Sequence, residues 1–229
     1  MALKAAPILE GYDPEAPSAI EFRRLYSRLR YKRGEEPVSP LMVTSAKHEE
    51  GKTTTAAFLA ITIARQDRGK VLLMDMDLHR PRVHRLFGFP LRGGVTELLR
   101  GRAEPEEVIH PTVMENLFIL TSGTMVKSPS SLVETENVRP VLDRLGERFE
   151  TVLIDCPPLV PVSDGMVLGG LVSSVLFVVM AGKTPREVVL RGKEILRDVD
   201  APLTGVVINN TKGALPYYYD YKYYGYRYK

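Results

Sequence analysis

The sequence predicts an α/β fold of three layers, in which a mostly parallel central sheet is covered by helices on both faces. Between about residues 40 and 210, five or six apolar runs of strand length alternate with helical segments. Several runs are apolar on both faces, which is typical of buried parallel strands. Right-handed crossovers between such strands then place helices on either side of the sheet.

The chain of 229 residues is long enough for one domain with flanking segments. Residues 1–17 contain four of the prolines and glycines that interrupt regular structure, and they predict an extended arm on the surface. Residues 18–212 hold the α/β domain. Residues 213–229 form a predicted flexible tail.

Composition excludes several classes of protein. A net charge of only +3 argues against a nucleic-acid partner. The single cysteine, Cys156, excludes an internal disulfide and fits a reducing cytoplasm. No apolar run approaches the roughly 20 residues that span a bilayer, and the N-terminus lacks the apolar core of a signal peptide. We therefore expect a cytoplasmic protein that reaches a membrane only through a partner.

The first predicted element is an N-terminal helix that begins at Ser18 and ends before Gly34. One face is apolar and the other is strongly basic. The basic face is either a solvated surface or a contact for another subunit, an acidic partner or a membrane surface, and the sequence leaves these possibilities open. Its basic residues are Arg23, Arg24, Arg28, Arg30, Lys32 and Arg33.

A strand, loop and helix between about residues 40 and 67 predict a phosphate-binding loop. Free N–H groups at a helix start, together with the helix dipole, attract a polyanion. Lys52 would reach the β- and γ-phosphates, the Thr53 hydroxyl would bind Mg²⁺, and Gly51 would let the backbone approach closely. The candidate nucleotide-binding residues are Ala46, Lys47, Glu49, Glu50, Gly51, Lys52, Thr53 and Thr54.

The loop departs from the usual phosphate-loop string. Ala46 stands where the first glycine is usual, and His48-Glu49-Glu50 is bulky and partly acidic. A chance Gly-Lys-Thr at a helix start is the alternative interpretation.

Carboxylates at two later strand ends support the phosphate site. Residues 71–77 form an apolar run that closes on Asp75 and Asp77, and residues 151–155 form another that closes on Asp155. Ligands of open α/β sheets bind at the carboxyl ends of the strands, so these aspartates should lie beside the loop. A strand-end aspartate such as Asp155 is also how Mg²⁺ and its water are held. Turn formation after a strand is the alternative.

The remaining elements follow the same alternation. Residues 79–85 form a basic cluster that could meet phosphate, another subunit or only solvent. Short helices are predicted at 94–100 and 104–109, strands at 117–120, 175–180 and 205–209, and helices at 138–149, from about 163, and at 185–198. Asn209 ends the last strand, where it could bind an adenine edge or simply form a turn.

The C-terminal tail holds eight of the eleven tyrosines. Aliphatic residues are absent after Leu215, so this segment has no core of its own. It is either a sticky end or a flexible series of phosphate acceptors, each adding about −1.5 to −2 charges when phosphorylated. The candidate acceptors are Tyr217, Tyr218, Tyr219, Tyr221, Tyr223, Tyr224, Tyr226 and Tyr228.

These motifs, in this order and with this tail, resemble the bacterial tyrosine kinases of the P-loop type, the autokinases of capsule and exopolysaccharide synthesis. The resemblance implies the P-loop NTPase fold, with ATP and Mg²⁺ as cofactors. Lys52 and the loop amides would bind the phosphates, and Thr53 and Asp155 would hold Mg²⁺. Asp75 would orient or deprotonate the incoming tyrosine hydroxyl, with a place near the metal, and Asp77 would assist metal or phosphate placement.

The resemblance also implies partners. Family members phosphorylate tail tyrosines of a neighbouring copy, often within a ring, and a tyrosine phosphatase reverses the reaction. A transmembrane adaptor of the polysaccharide co-polymerase type activates the kinase, and we expect it to be a separate protein that recruits this chain to the inner face of the membrane. The N-terminal helix matches the family's Glu-x-x-Arg-x-x-Arg oligomerisation pattern incompletely.

Two other functions compete with the kinase. A nucleotide-switched dimeric ATPase of the septum-site or plasmid-partition kind shares the sheet and the aspartates, and Lys47 stands where those ATPases place a second lysine. A weakly active ATP-binding scaffold of a polysaccharide-export complex would result if the acidic loop has damaged ATP affinity.

Overall fold

The computed structural model describes residues 6–33 and 39–211, so the tyrosine-rich tail lies outside the described residues. Within that range the helices are α1 (Pro7–Glu10), α2 (Pro17–Arg33), α3 (Lys52–Gln66), α4 (Val83–Phe87), α5 (Val95–Leu99), α6 (Pro105–Val108), α7 (Thr135–Gly146), α8 (Asp164–Gly169) and α9 (Arg186–Asp198). The strands are β1 (Leu41–Ser45), β2 (Val71–Asp75), β3 (Ile109–Pro111), β4 (Leu117–Leu120), β5 (Thr151–Asp155), β6 (Ser174–Met180) and β7 (Leu203–Asn209).

The strands form one sheet in the order β3-β4-β2-β5-β1-β6-β7. Every neighbouring pair is parallel except β3 and β4. The predicted three-layer α/β fold with a mostly parallel sheet is therefore confirmed. The three strands that carry the candidate site, β2, β5 and β1, are central neighbours, so their carboxyl ends meet at one edge of the sheet.

The alternation of side chains along the strands divides the core into two layers. Leu41, Val43, Leu73 and Leu153 point to one face, where they pack with residues of α2 and α3. Met42, Leu72, Met74 and Ile154 point to the other face, beneath α5, α7 and α9. Both faces of these strands are buried, which explains why their sequences are continuous apolar runs.

Three elements differ from the sequence prediction. The arm is not extended throughout, because Pro7–Glu10 form a helical turn and the Tyr12 ring packs on Phe58 of α3 with a centroid distance of 6.0 Å. Helix α7 begins at Thr135 and ends at Gly146, about three residues before the prediction. The basic cluster includes the short helix α4 rather than only a loop.

The antiparallel strand β3 was not predicted, because residues up to 109 were expected to be helical. Helix α6 ends at Val108, and the next three residues pair with β4 in the register Ile109 with Leu120. Three residues are too short to show an alternating pattern. Pro111 also lacks the N–H group that a further ladder bond would need, which is typical of an edge strand.

None of the helices in the described ranges combines the length and apolar character that crossing a bilayer requires.

Candidate active site

The carboxyl ends of β2 and β5 bring the predicted aspartates to the phosphate loop. Asp75 and Asp155 are direct partners in the register of these two strands. The Lys52 ammonium, at the start of α3, lies 2.7 Å from Asp77 Oδ2 and 3.8 Å from Asp155 Oδ1. Three segments that are far apart in sequence therefore form one buried charged cluster.

A cavity of about 370 Å³ opens over the phosphate loop. Five of the residues predicted to bind nucleotide line it: Glu49, Gly51, Lys52, Thr53 and Thr54. Gly51 adopts φ = 93°, in the left-handed region that glycine tolerates, and its carbonyl accepts the first helical hydrogen bond of α3. Asp77 is the aspartate that lines this cavity, together with His48, Arg80, Arg82, Arg85 and Leu86.

Lys52 is almost completely buried, with 7% of its surface exposed. Burial by itself lowers the pKa of its ammonium, but the charges of Asp155 and Asp77 outweigh that effect and raise the pKa above its usual value. Lys52 therefore stays charged, and a triphosphate that enters the cavity meets a fixed cation.

The Asp155 carboxylate is fully buried, and neither oxygen has a hydrogen-bond partner of ordinary geometry within the described residues. Burial raises its pKa to about 6, against the Lys52 charge and the nearby Thr53 hydroxyl, which lower it. A buried carboxylate with free oxygens beside a hydroxyl is a donor set that suits a hard divalent cation. The burial and chemistry of Asp155 and Thr53 therefore suit the binding of Mg²⁺.

Asp75 is also fully buried, but its carboxylate, unlike that of Asp155, accepts hydrogen bonds from the backbone. Its oxygens accept backbone hydrogen bonds from Asp77 (3.2 Å), Arg82 (3.2 Å) and Val83 (3.1 Å). Burial and the charge of Asp155 raise the pKa of this carboxyl well above its usual value, although the bond from Val83 opposes them. Asp75 does not line the cavity, and in this conformation its oxygens hold the turn between β2 and α4.

The buried Asp155 carboxylate leads to a prediction about stability. We expect Asp155→Asn to raise the free energy of unfolding of the nucleotide-free chain by about 1–3 kcal/mol at pH 7, because each unit of raised pKa is about 1.4 kcal/mol of destabilisation of the charged form. The folded pKa of about 6 exceeds the ordinary value of 3.8, so the cost is absent below about pH 4 and complete above about pH 6. Urea unfolding at pH 4.5 and pH 7 measures the difference.

The exposed Asp143 offers a matched control, since Asp143→Asn should change stability by less than about 0.5 kcal/mol at either pH. An Asp155→Asn chain that is less stable than wild type at pH 7 would contradict this account.

The unusual acidic residues of the loop point in opposite directions. Glu49 is exposed and has φ = 64°, a left-handed conformation that costs a residue with a Cβ about 1 kcal/mol. Glu50 is buried, and its carboxylate accepts hydrogen bonds from the Lys47 backbone N–H at 2.7 Å and from the Thr184 hydroxyl. Glu50 therefore anchors the loop from behind and does not repel a bound phosphate directly.

Three other predicted nucleotide-binding residues do not line the cavity. Ala46 is fully buried, and its carbonyl accepts the Val160 N–H at 3.2 Å. Lys47 is exposed outside the cavity. The Asn209 amide donates one hydrogen bond to the Glu50 carbonyl at 3.0 Å, so this side chain faces the phosphate loop.

Two residues that stabilise the site were missed by sequence reasoning. Thr184 contacts Glu50 across 134 residues of sequence, and no motif marks it. Asp164, at the start of α8, is buried and lies 3.1 Å from His79 Nε2. The Ser163-Asp164-Gly165 string indicates a helix start but not this contact.

Comparison with known proteins places the chain in a family. A family model described as AAA domain matches residues 41–186. Solved structures at low sequence identity share only the fold. One of them is the septum site-determining protein MinD from Pyrococcus horikoshii, at 21% identity and a TM-score of 0.65.

Closer relatives are kinases. The chain is 30% identical to tyrosine-protein kinase YwqD of Bacillus subtilis, with 93% of this chain and 89% of the relative aligned. The kinase domain of Escherichia coli tyrosine kinase ETK superposes with a TM-score of 0.85 at 29% identity, covering 91% of this chain and 82% of that one. The chimerical protein CapA2B2 gives a TM-score of 0.82 at 30% identity, covering 88% of each chain. The chain therefore belongs to the bacterial tyrosine-protein kinases, within the wider AAA domain family.

Proposed function

We propose that this kinase transfers the γ-phosphate of ATP to tyrosines in the C-terminal tail of another copy of the same chain. The observation that carries the proposal is the position of the Lys52 ammonium, fixed between Asp77 and Asp155 at the floor of the phosphate-loop cavity. Phosphoryl transfer depends on placed charge more than on covalent help from the protein, and this cluster supplies such charge.

The loop amides and Lys52 bind the phosphates of ATP. To do so, Lys52 exchanges its contact with Asp77 for a phosphate oxygen. Thr53 and Asp155 are the residues that would hold Mg²⁺, which when bound neutralises charge on the β- and γ-phosphates. Support comes from the Asp155 oxygens, which accept no hydrogen bond of ordinary geometry from any residue that the structure describes, and from the buried, charged state of Lys52.

In the transfer step, the phenol oxygen of a tyrosine forms a bond to the γ-phosphorus. The bond from that phosphorus to the bridging oxygen of ADP breaks, and the phenol proton passes to a carboxylate. We assign the proton to Asp75, because a carboxyl with a raised pKa is the stronger base. Because Asp75 is buried, the turn between β2 and α4 must open for the tyrosine to reach it. Asp77 would assist the placement of the phosphate or of Mg²⁺ when these are bound.

The substrate assignment rests on the tail sequence. Eight tyrosines lie within residues 213–229, and the segment has few other chemical groups to offer. We keep the three segments proposed from the sequence: an arm (1–17), a kinase domain (18–212) and an acceptor tail (213–229).

The cellular role follows from the relatives. We propose that this kinase regulates export of a capsule or exopolysaccharide, that a transmembrane activator recruits it to the inner face of the membrane, and that a tyrosine phosphatase resets it. The chain is 32% identical to E. coli tyrosine-protein kinase etk over an alignment that covers 28% of that relative's length. The relative therefore contains large regions beyond the shared kinase part.

A mixing experiment tests the proposal. One chain keeps its active site but has all eight tail tyrosines replaced by phenylalanine, and the other carries Lys52→Met with an intact tail. With ATP and Mg²⁺, and with or without membrane fragments of a candidate activator, mass spectrometry of the last fifteen residues should find phosphotyrosine on the Lys52→Met chain only when both are present. ATP hydrolysis without phosphotyrosine would indicate the switched ATPase instead, and absence of ATP binding would indicate the scaffold.

A further inference from the structure

Three arginines border the nucleotide cavity, and none of them has an acidic partner among the residues that the structure describes. Arg80, Arg82 and Arg85 are exposed, and within the described ranges no carboxylate pairs with their guanidinium groups. Elsewhere in the described residues, exposed arginines do pair with carboxylates, as Arg144 pairs with Glu104. Three uncompensated cations on one short segment repel one another, so an anion that binds among them is strongly favoured.

The same three arginines line a second cavity of about 400 Å³ next to the nucleotide cavity. Its other walls include His79, His84 and Met125. The Nδ1 atom of His84 is buried without a hydrogen-bond partner within the described residues, so a further polar group can serve a ligand. This arginine pocket, defined by Arg80, Arg82, Arg85 and His84, is thus continuous with the site of phosphoryl transfer.

The charge of the tail decides which form of it can enter. Residues 215–229 contain one acidic side chain, Asp220, and three basic ones, so the unmodified tail is repelled by the arginine pocket. A phosphotyrosine carries about −1.5 to −2 charges and three acceptor oxygens, which guanidinium groups bind in a bidentate manner. A tail that already bears phosphate is therefore bound more tightly by the arginine pocket than the unmodified tail.

The spacing of the tyrosines fits two adjoining pockets. Tyrosines recur at every second position over Tyr217, Tyr219, Tyr221 and Tyr223, and again over Tyr224, Tyr226 and Tyr228. In an extended segment, side chains at i and i+2 point the same way and lie about 7 Å apart. A phosphotyrosine in the arginine pocket would therefore place a second tyrosine near the γ-phosphate.

We propose that the arginine pocket binds a phosphotyrosine of the incoming tail and so directs the kinase to a second tyrosine two residues away. This inference rests on the proposed tail-kinase function. Phosphorylation of the tail then reinforces itself, because each phosphate added improves the binding of the next acceptor.

The test uses the full chain with all eight tail tyrosines replaced by phenylalanine, so that it cannot label itself. Two peptides of residues 215–229 keep tyrosine only at 221. One has phenylalanine at 223 and the other has phosphotyrosine there. In initial-rate measurements at saturating ATP and Mg²⁺, we expect the KM of the phosphopeptide to be about tenfold lower, the effect of one good charge-assisted contact.

Arg82→Ala and Arg85→Ala, each made in the same background, should reduce this KM ratio to about twofold or less. Arg139→Ala is the matched control, since this exposed arginine lines a cavity with Pro40 and Val152 at the opposite ends of the strands. Its ratio should stay near that of the parent. Anisotropy of a labelled phosphopeptide that lacks any acceptor tyrosine, measured with ADP and Mg²⁺ bound, reports the same contact without catalysis.

The outcomes separate the two proposals. Equal KM values for both peptides, or a ratio that survives Arg82→Ala and Arg85→Ala, would overturn the arginine pocket. A rise in the KM for ATP with an unchanged peptide ratio would also overturn it, by assigning the arginines to the nucleotide. If neither peptide is phosphorylated by the parent chain, the tail-kinase function itself fails.

Discussion

Replacing Lys52 with methionine is expected to reduce the rate of tail phosphorylation at least about a thousandfold. Methionine has a similar volume but no charge, so the γ-phosphate loses the cation that the cavity floor provides. The measurement is the amount of phosphotyrosine formed on the tail over time, determined by mass spectrometry and by incorporation of labelled phosphate from ATP. Persistent labelling in the purified variant would remove Lys52 from its assigned role.

The same substitution tests the electrostatics of the cluster. Lys52 contacts Asp77 and Asp155, and losing it leaves buried carboxylates uncompensated, which typically costs about 3–5 kcal/mol. We therefore expect a lower melting temperature without loss of the fold, with Mg²⁺ partly restoring stability. Lys47→Met is the matched control, since this exposed lysine belongs to the same loop but does not line the cavity.

Asp75→Asn is expected to lower kcat by about 10²–10⁴, the usual worth of a general base, with little change in the KM for ATP. The asparagine amide can still contact the backbone of the β2–α4 turn at one oxygen, so the fold should persist. Asp77→Asn should instead raise the KM for ATP, because Asp77 lines the cavity and holds Lys52. Steady-state kinetics with a tail peptide separates the two parameters.

The control for this pair is Asp143→Asn, an exposed aspartate far along α7 that should leave both parameters unchanged. If Asp75→Asn retains full kcat while Asp77→Asn loses it, the proton goes to Asp77, and the burial of Asp75 is purely structural.

Most of the fold was predictable because its signals are local. The apolar runs that end at Asp75 and Asp155 are strands, and parallel strands place their carboxyl ends at the same edge of the sheet. The two aspartates meet there because β2 and β5 are neighbours in the sheet, which the sequence alone does not specify. The short strand β3 and the helical turn α1 were not predictable, since three or four residues carry no period that distinguishes strand, helix and loop.

The site was predictable in position but not in orientation. Sequence reasoning treats Glu49 and Glu50 as equally acidic neighbours of a phosphate, whereas the fold turns Glu50 inward to Thr184. Asn209 is likewise turned to the loop by the Glu50 carbonyl. These orientations depend on partners more than a hundred residues away, and a single sequence does not contain that pairing.

The proline at the end of β3 has a bearing on how copies of this kinase can meet. The edge strand β3 is only three residues long, and Pro111 has no amide proton. It therefore offers a neighbouring chain few main-chain groups with which to extend the sheet. We therefore expect copies that meet at this edge to do so through side-chain contacts rather than through a continuous ladder of main-chain hydrogen bonds. Added charge can weaken side-chain contacts.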